Sequence, residues 1–278
     1  MRANSRQLAE DFRGLHRAPP ILLLPNAWDP MSARIFEAAG FPALATTSGG
    51  LAWALGYQDG EQAPWTDVVA ATRRIVEAVR VPVTADIETG YGNTPEAVGR
   101  SVADIVDAGA VGVNLEDGTH SADQPMRPIE DAAARIRAAR GAADAAGVPI
   151  VINARIDLYL KHVGDAATRF AETVRRAEAY LAAGADCIFV FGHIDLDVIG
   201  RLTAAIKAPV NVVGRAGTPG LKALQAAGVA RVSIASGATL PVMSLIQRIA
   251  DELRRTGEFD MLKATMTRMD AQKLFARD

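Results

Sequence analysis

The stretch Val83-Thr84-Ala85-Asp86-Ile87-Glu88-Thr89-Gly90-Tyr91-Gly92-Asn93 and its shorter echo, Gly112-Val113-Asn114-Leu115-Glu116-Asp117, decide how the chain is read. Each is an apolar, β-prone run that ends in carboxylates and then breaks into turn residues. Alternate side chains of a strand share a face, so Asp86 and Glu88 are expected to point the same way. Glu116 closes the next strand at a similar place. Three acids gathered at neighbouring strand ends are costly unless a cation or a proton compensates them. That cost marks a site.

Outward from this pair the same unit recurs. Short apolar runs fall at 21–25, 43–47, 81–87, 111–116, 150–155, 187–191, 210–213 and 231–235, and amphipathic helical periodicity lies between them. The segment from Thr66 to Val79, for example, places Val68, Val69, Thr72, Ile75, Val76 and Val79 at helical spacing. Thr66 and Thr94 are candidate caps, Pro95 suits a first turn, and Gly40, Gly109, Gly147, Gly184 and Gly228 sit where helices stop. Strict β–α alternation implies a parallel sheet. Eight units in 278 residues favour closure into an α/β (β/α)8 TIM barrel spanning 1–278 as one domain. No Gly-x-Gly-x-x-Gly follows any strand, which argues against an open dinucleotide-binding sheet. Two segments lie outside the units: an N-terminal helix from about Ser5 to His16, and a C-terminal extension, 258–278, with one helix over Asp260–Phe275. The apolar members of the latter need a partner surface, either the chain's own barrel or a second subunit.

Composition narrows the class. A hydrophobic share of 49%, a charged share of 22% and a net charge of −2 describe an ordered globular protein without the basic footprint of a nucleic-acid binder. The longest uncharged run, 38–58, is interrupted by Pro42, Thr46, Thr47, Ser48, Gly49, Gly50 and Gly56, so it reads as a buried strand and loop, not a membrane span. No apolar stretch of the secretory type follows Met1–Gln7. Cys187 is the only cysteine and starts an apolar strand, so it reads as core in a cytoplasmic protein without an intrachain disulfide.

In a barrel of this kind the active site forms where strands end. The ends collect Thr46, Ser48 and Gly49, then Asp86 and Glu88, then Glu116, Asn153 and Arg155, and later Phe191, His193 and Asn211. Asp86, Glu88 and Glu116 offer only oxygen donors, which suits a hard cation, Mg2+ or Mn2+, held partly through water. Asp59, in the segment 51–62, is a further acid over the rim. Arg155 is either a fork for a substrate carboxylate or phosphate or a counter-ion for Glu116 or Asp157. Ser48-Gly49-Gly50 is either an oxyanion nest or a tight turn. The four histidines lack zinc-ligand spacing, and none of the five lysines lies in a strand, which excludes a strand-borne Schiff base.

At these residues the chain resembles the isocitrate lyase / phosphoenolpyruvate mutase superfamily. The likeness runs from Leu24-Pro25-Asn26-Ala27-Trp28-Asp29 to the terminal helix. It is most specific at Thr47-Ser48-Gly49, Asp86-x-Glu88-Thr89-Gly90-Tyr91-Gly92-Asn93, Asn114-Leu115-Glu116-Asp117 and Asn153-Ala154-Arg155. It implies a barrel with Mg2+ at Asp86, helped by Glu88 and Glu116, and with Asp59 near the metal's water shell. Ser48, Gly49 and Arg155, joined by Thr46 and Asn211, would bind a 2-oxo or 2-hydroxy acid. It also implies a helix exchanged between barrels in a homodimer or homotetramer. The chain departs from its lyases of isocitrate and methylisocitrate at the loop after strand four, where Asp117-Gly118-Thr119-His120-Ser121-Ala122-Asp123-Gln124 has no cysteine. His120 is the replacement proton donor this suggests, with Asp59 and Glu116 as the other catalytic groups. The phosphonate-forming mutases carry a histidine at the end of strand six, where this chain has Phe191. The expected function is therefore a lyase or decarboxylase cleaving a C–C bond beside an oxo or hydroxy group. The alternatives are C–P chemistry, or a 2-oxo acid binder without catalysis.

Overall fold

Nine short strands form the centre of the computed structural model, which describes residues 4–17 and 19–276. They are β1 (Leu22–Leu24), β2 (Asn26–Ala27), β3 (Leu44–Thr46), β4 (Val83–Asp86), β5 (Gly112–Glu116), β6 (Val151–Ile156), β7 (Cys187–Val190), β8 (Val210–Val213) and β9 (Arg231–Ser233). All pair in parallel, in the order β1-β9-β8-β7-β6-β5-β4-β3-β2. The two ends of that order are one stave. β1 pairs with β9 while β2 pairs with β3, and only Pro25 separates them. Proline has no N–H to give a ladder, yet its carbonyl still accepts from Ala45 N–H at 2.9 Å. The sheet therefore closes as an eight-staved (β/α)8 barrel, as the alternation predicts.

Local chemistry explains most helix ends. Thr94 caps the helix Pro95–Asp107 by accepting from Ala97 N–H, with Pro95 in its first turn. Thr66 does not cap its helix. The helix Trp65–Ala78 starts at Pro64, whose preset φ already turns the chain, and Thr66 falls inside the first turn. Its buried residues, Val68, Thr72, Ile75 and Val76, are those the periodicity selects. Four staves end earlier than the apolar runs suggest; the most consequential is β4, which stops at Asp86 instead of reaching Ile87.

The floor of the barrel is closed by the helix Ser5–Leu15, whose Phe12 is fully buried. Above it lies Arg231, also fully buried, which donates from Nε to Ser233 Oγ at 3.1 Å and from Nη2 to Asn114 Oδ1 at 3.3 Å. Its guanidinium lies 3.5 Å from His16 Nε2. Burial, then the Arg231 charge, pulls His16 down to about 3. Burial likewise lowers Arg231 to about 10 and raises the enclosed Cys187 thiol to about 12.

Two expectations are corrected. The segment expected as a loop from residue 51 is helical at its start: Ser48–Leu55 is an α-helix ending at Gly56 in the left-handed region. Its run Ser48-Gly49-Gly50-Leu51-Ala52 has too little apolar periodicity to announce a helix. The expected C-terminal helix over Asp260–Phe275 is a single turn, Asp260–Leu262, and a separate helix, Arg268–Leu274. Thr267 and Asp270 form a reciprocal capping box that starts the second piece afresh. Residues 277 and 278 of the extension lie outside the described residues. Before these pieces, the long helix Thr239–Arg255 buries only Thr239 and leaves Leu240, Met243, Leu245 and Ile246 open. Among the described residues no helix is long and apolar enough to cross a membrane.

Candidate active site

At the C-terminal end of the barrel lies a pocket of about 200 Å³ whose lining includes the polar Asn26, Thr47, Ser48, Asp59, Asp86, Asn114, Arg155, Ser233 and Ser236, together with Gly49 and the apolar Leu160, Phe189 and Phe191. Sequence order scatters these residues over several staves, and parallel closure brings them together. The volume is small for a ligand site, below the range of about 300–1,000 Å³ that drug-sized molecules occupy, and suits a metabolite of a few carbons.

Asp86 is the last residue of β4 and is held from both sides. Its N–H donates to Thr46 Oγ1 at 2.9 Å, and its Oδ2 accepts from Ser48 N–H at 3.2 Å. Ser48 opens the helix Ser48–Leu55, so an anion here meets the unpaired N–H groups and positive end of a helix. The nest and the tight turn both give way to this helix N-terminus. At Gly49 a Cβ would come 3.0 Å from Asp59 Oδ2, so glycine is what lets the Asp59 carboxylate close on the pocket. Burial raises the Asp86 carboxyl, Asp59 adds to the rise, and Arg155 with the Ser48 amide opposes it. Among the described residues Asp86 has no ion-pair partner.

Glu88 does not share the Asp86 face. The strand ends at Asp86, and Glu88 takes a left-handed φ of 51°, which breaks the alternation. Its carboxylate turns to the neighbouring loop, accepting from Glu61 N–H at 3.0 and 2.9 Å and from Tyr91 OH at 3.2 Å. Glu61 returns the grip: its Oε1 accepts from Thr89 N–H at 3.0 Å, Thr89 Oγ1 at 2.7 Å and Tyr91 N–H at 2.9 Å. Glu61 and Tyr91 also have positive φ, 58° and 50°. Three non-glycine residues in that region cost on the order of 1 kcal/mol or more each, and the reciprocal hydrogen bonds hold them there. Burial lifts Glu88 to about 7, the Glu61 amide working against the rise and Asp59 and Asp86 with it.

Arg155 and Glu116 stand opposite each other in the β5–β6 ladder. Of the two sequence readings of Arg155, the counter-ion is the one observed. Its Nη1 lies 2.6 Å from Glu116 Oε2, its Nε 2.6 Å from Asp157 Oδ1, and its guanidinium also borders the pocket. The Phe191 ring lies under it, 3.9 Å from the guanidinium carbon. Burial and the neighbouring acids Asp157, Asp86 and Glu88 raise Glu116, with Arg155 opposing. Acids outnumber cations: Glu116 and Asp157 pair with Arg155, Asp59 and Asp86 line the pocket, and Glu88 turns to the loop beside it.

The remaining expected residues sit elsewhere. Thr46 is buried behind Asp86 as its amide's acceptor and does not reach the pocket. Asn211, placed with the substrate from its strand end, is fully buried in the barrel interior, its Nδ2 donating to Ser233 Oγ at 3.1 Å; β8 extends beyond it to Val213, so it lies a layer below the mouth. His120 is exposed on the rim, its ring about 3.5 Å from where a Cβ on Gly60 would stand, beside Asp59 but outside the pocket lining. Its loop is anchored by Asp117, which accepts from Asp157 N–H, Arg176 Nη1 and Tyr180 OH, and by Lys161 Nζ donating to Thr119 O at 2.9 Å.

Sequence reasoning missed Glu61, Leu160, Phe189 and the orientation of Asn114. Asn114 Oδ1 accepts from Asn153 Nδ2 at 2.8 Å and from Arg231, which leaves its Nδ2 as the end able to donate to a ligand. Only the density of polar residues inside strands (Asn114, Asn153, Asn211) hinted at this layer.

The oxygen-only donor set and the excess of carboxylates fit a hard divalent cation. Among the described residues no three His, Cys, Asp or Glu side chains converge into a closed cage. Such an ion would therefore be held by few protein oxygens and by water, the habit of Mg2+.

The chain matches known proteins at the level of family and fold. The family model described as phosphoenolpyruvate phosphomutase matches residues 12–254. An uncharacterized protein of Mycobacterium tuberculosis is 36% identical over 228 residues, 81% of each chain. The 2-methylisocitrate lyase of Bacillus subtilis is 30% identical over 193 residues, 67% of this chain and 60% of that one. A crystal structure from Burkholderia cenocepacia J2315, described only as a lyase/mutase, superposes with a TM-score of 0.90 at 37% identity, covering 98% of this chain and 97% of that one.

Proposed function

Since the chain belongs to the phosphoenolpyruvate phosphomutase family, we propose that it is a Mg2+-dependent lyase or decarboxylase. It cleaves a C–C bond beside the oxo or hydroxy group of a small 2-oxo or 2-hydroxy acid, with enolate-like charge developing on the substrate. What supports this reading is one juxtaposition: a helix N-terminus, an unpaired carboxylate (Asp86) and a guanidinium with donors to spare meet in a pocket of metabolite size.

Each part has a task. Arg155 spends three N–H groups on Glu116 and Asp157 and keeps two of its five for the substrate carboxylate. The Gly49 amide, at the same helix N-terminus, would face the oxygen on which charge grows, while the Ser48 amide holds Asp86. Asp86 would hold the metal, with Glu88, Glu116 and Asp59 reached through water. When bound, Mg2+ supplies fixed positive charge against the developing oxyanion. Glu116 fixes Arg155 in place. Asp59, across from Gly49, and His120, over Gly60, are the groups positioned to exchange a proton at the open side. The apolar helix Thr239–Arg255 is covered by a second copy of the chain in a homodimer or homotetramer.

The test is release of a 2-oxo acid or CO2 from a panel of 2-oxo and 2-hydroxy acids, with Mg2+ and with EDTA. The reading expects turnover that EDTA abolishes. Turnover indifferent to EDTA, or tight binding with no turnover across the panel, rejects it. Phosphorus NMR with phosphonopyruvate tests the C–P alternative, which the family model's own description favours.

A further inference from the structure

Resting on that reading, we infer that the pocket selects a substrate with a single anionic end: a 2-oxo or 2-hydroxy acid whose other end is a short, uncharged, apolar group. A second carboxylate or a phosphonate is disfavoured.

Two observations combine. The first is the supply of positive charge. Among the described residues Arg155 is the one lysine or arginine lining the pocket. Two carboxylates already hold it, at 2.6 Å each, and its face is covered by Phe191. What remains of it serves one substrate carboxylate. A second anionic group would be desolvated with no further lysine or arginine in the lining to compensate it, since a cation held at Asp86 is taken up by the first carboxylate and its neighbouring oxygen.

The second observation is the apolar part of the lining. Phe189, Phe191 and Leu160 form it, and it is rigid. Phe189 and Phe191 stack edge to face with centroids 5.1 Å apart. Leu160 N–H donates to Phe191 O at 3.1 Å. Gly192 packs so closely that a Cβ there would lie 2.8 Å from the Leu160 nitrogen. Leu160 itself is 40% exposed, a large apolar side chain left open at the rim of a polar pocket. A ligand's alkyl end would cover it and release water from both surfaces.

Calorimetric titration in the presence of Mg2+ tests this with oxalate, 2-oxo-4-methylpentanoate and 2-oxoglutarate as probes. Oxalate, whose two carboxylates adjoin and form one anionic end, should bind, and the branched alkyl oxo acid should bind at least about tenfold more tightly than 2-oxoglutarate, which corresponds to roughly 1.4 kcal/mol. Leu160→Arg places a cation at the exposed rim while leaving the main-chain bond to Phe191 intact, and should reverse that order. Oxalate binding with 2-oxoglutarate equal to or tighter than the alkyl acid overturns the inference but leaves the oxo-acid site standing. Failure of all three probes, oxalate included, overturns the site reading as well.

Discussion

The two ends of the barrel both bury charge, and they treat it oppositely. Toward the floor a single cation, Arg231, is enclosed among neutral partners: Ser233 and Asn114, which reach up to line the pocket, and a histidine that stays uncharged. At the mouth Glu116 and Asp157 pair with one guanidinium while Asp59 and Asp86 also line the pocket, Asp86 keeps no ion-pair partner among the described residues, and four residues, Glu61, Glu88, Tyr91 and Ala235, hold a positive φ. The floor is settled within the fold. On the proposed reading the charge of the mouth is settled by a bound cation.

Breaking the mouth should have the largest effect. Asp86→Ala is expected to lower kcat/KM by about a hundred- to a thousandfold while the thermal midpoint stays at or above that of the parent, because a repelled carboxylate has been removed. A fall in stability with activity retained would put Asp86 in the scaffold instead. Next comes the latch between the two loops. Glu61→Ala leaves three donors on Thr89 and Tyr91 without their acceptor. It should cost about 1–3 kcal/mol in denaturant titration and about ten- to a hundredfold in kcat/KM. Glu61→Gln keeps an acceptor and should recover most of both; equal damage by the two variants would point to the charge, not the latch.

The floor is probed by pH. His16 is held at about 3 in the fold against 6.5 when free. Below pH 6.5 the unfolded chain takes up a proton that the folded chain refuses until about pH 3, so the contribution of neutral His16 is full above 6.5 and falls as pH drops. Between pH 7 and pH 5 the parent should lose roughly 2 kcal/mol that His16→Gln does not lose; parallel losses would show that His16 protonates in place. The smallest effect is expected at Cys187, whose thiol is buried and raised to about 12. Ellman's reagent at pH 8 should leave the folded protein unlabelled, and rapid labelling would mean the floor opens.

The same contrast explains what was legible in the sequence. Staves and helices were, because period-two and period-3.6 patterns are local and the Gly-terminated units repeat. Asp86, Asp59, Ser48, Gly49 and Arg155 were found because they stand where apolar runs end, and the fold does bring them to one pocket. Glu88 and Asn211 were mislocated by the same rule: one left-handed residue turned Glu88 aside, and Asn211 stands inside the stave 210–213, two residues before its end. Glu61, Leu160 and Phe189 lay outside its reach, since their roles arise from contacts between loops far apart in the chain. The C-terminal helix broke where Thr267 offered a stronger local start than the apolar spacing could override.

The central claim is that the mouth's surplus negative charge awaits a cation that, once present, lets an oxo acid bind. Calorimetric titration with oxalate, run on the metal-free protein and again after Mg2+ is added, tests it directly. The account predicts oxalate binding only with Mg2+, and its loss in Asp86→Ala. Equal oxalate affinity with and without Mg2+, or no binding in either, contradicts it.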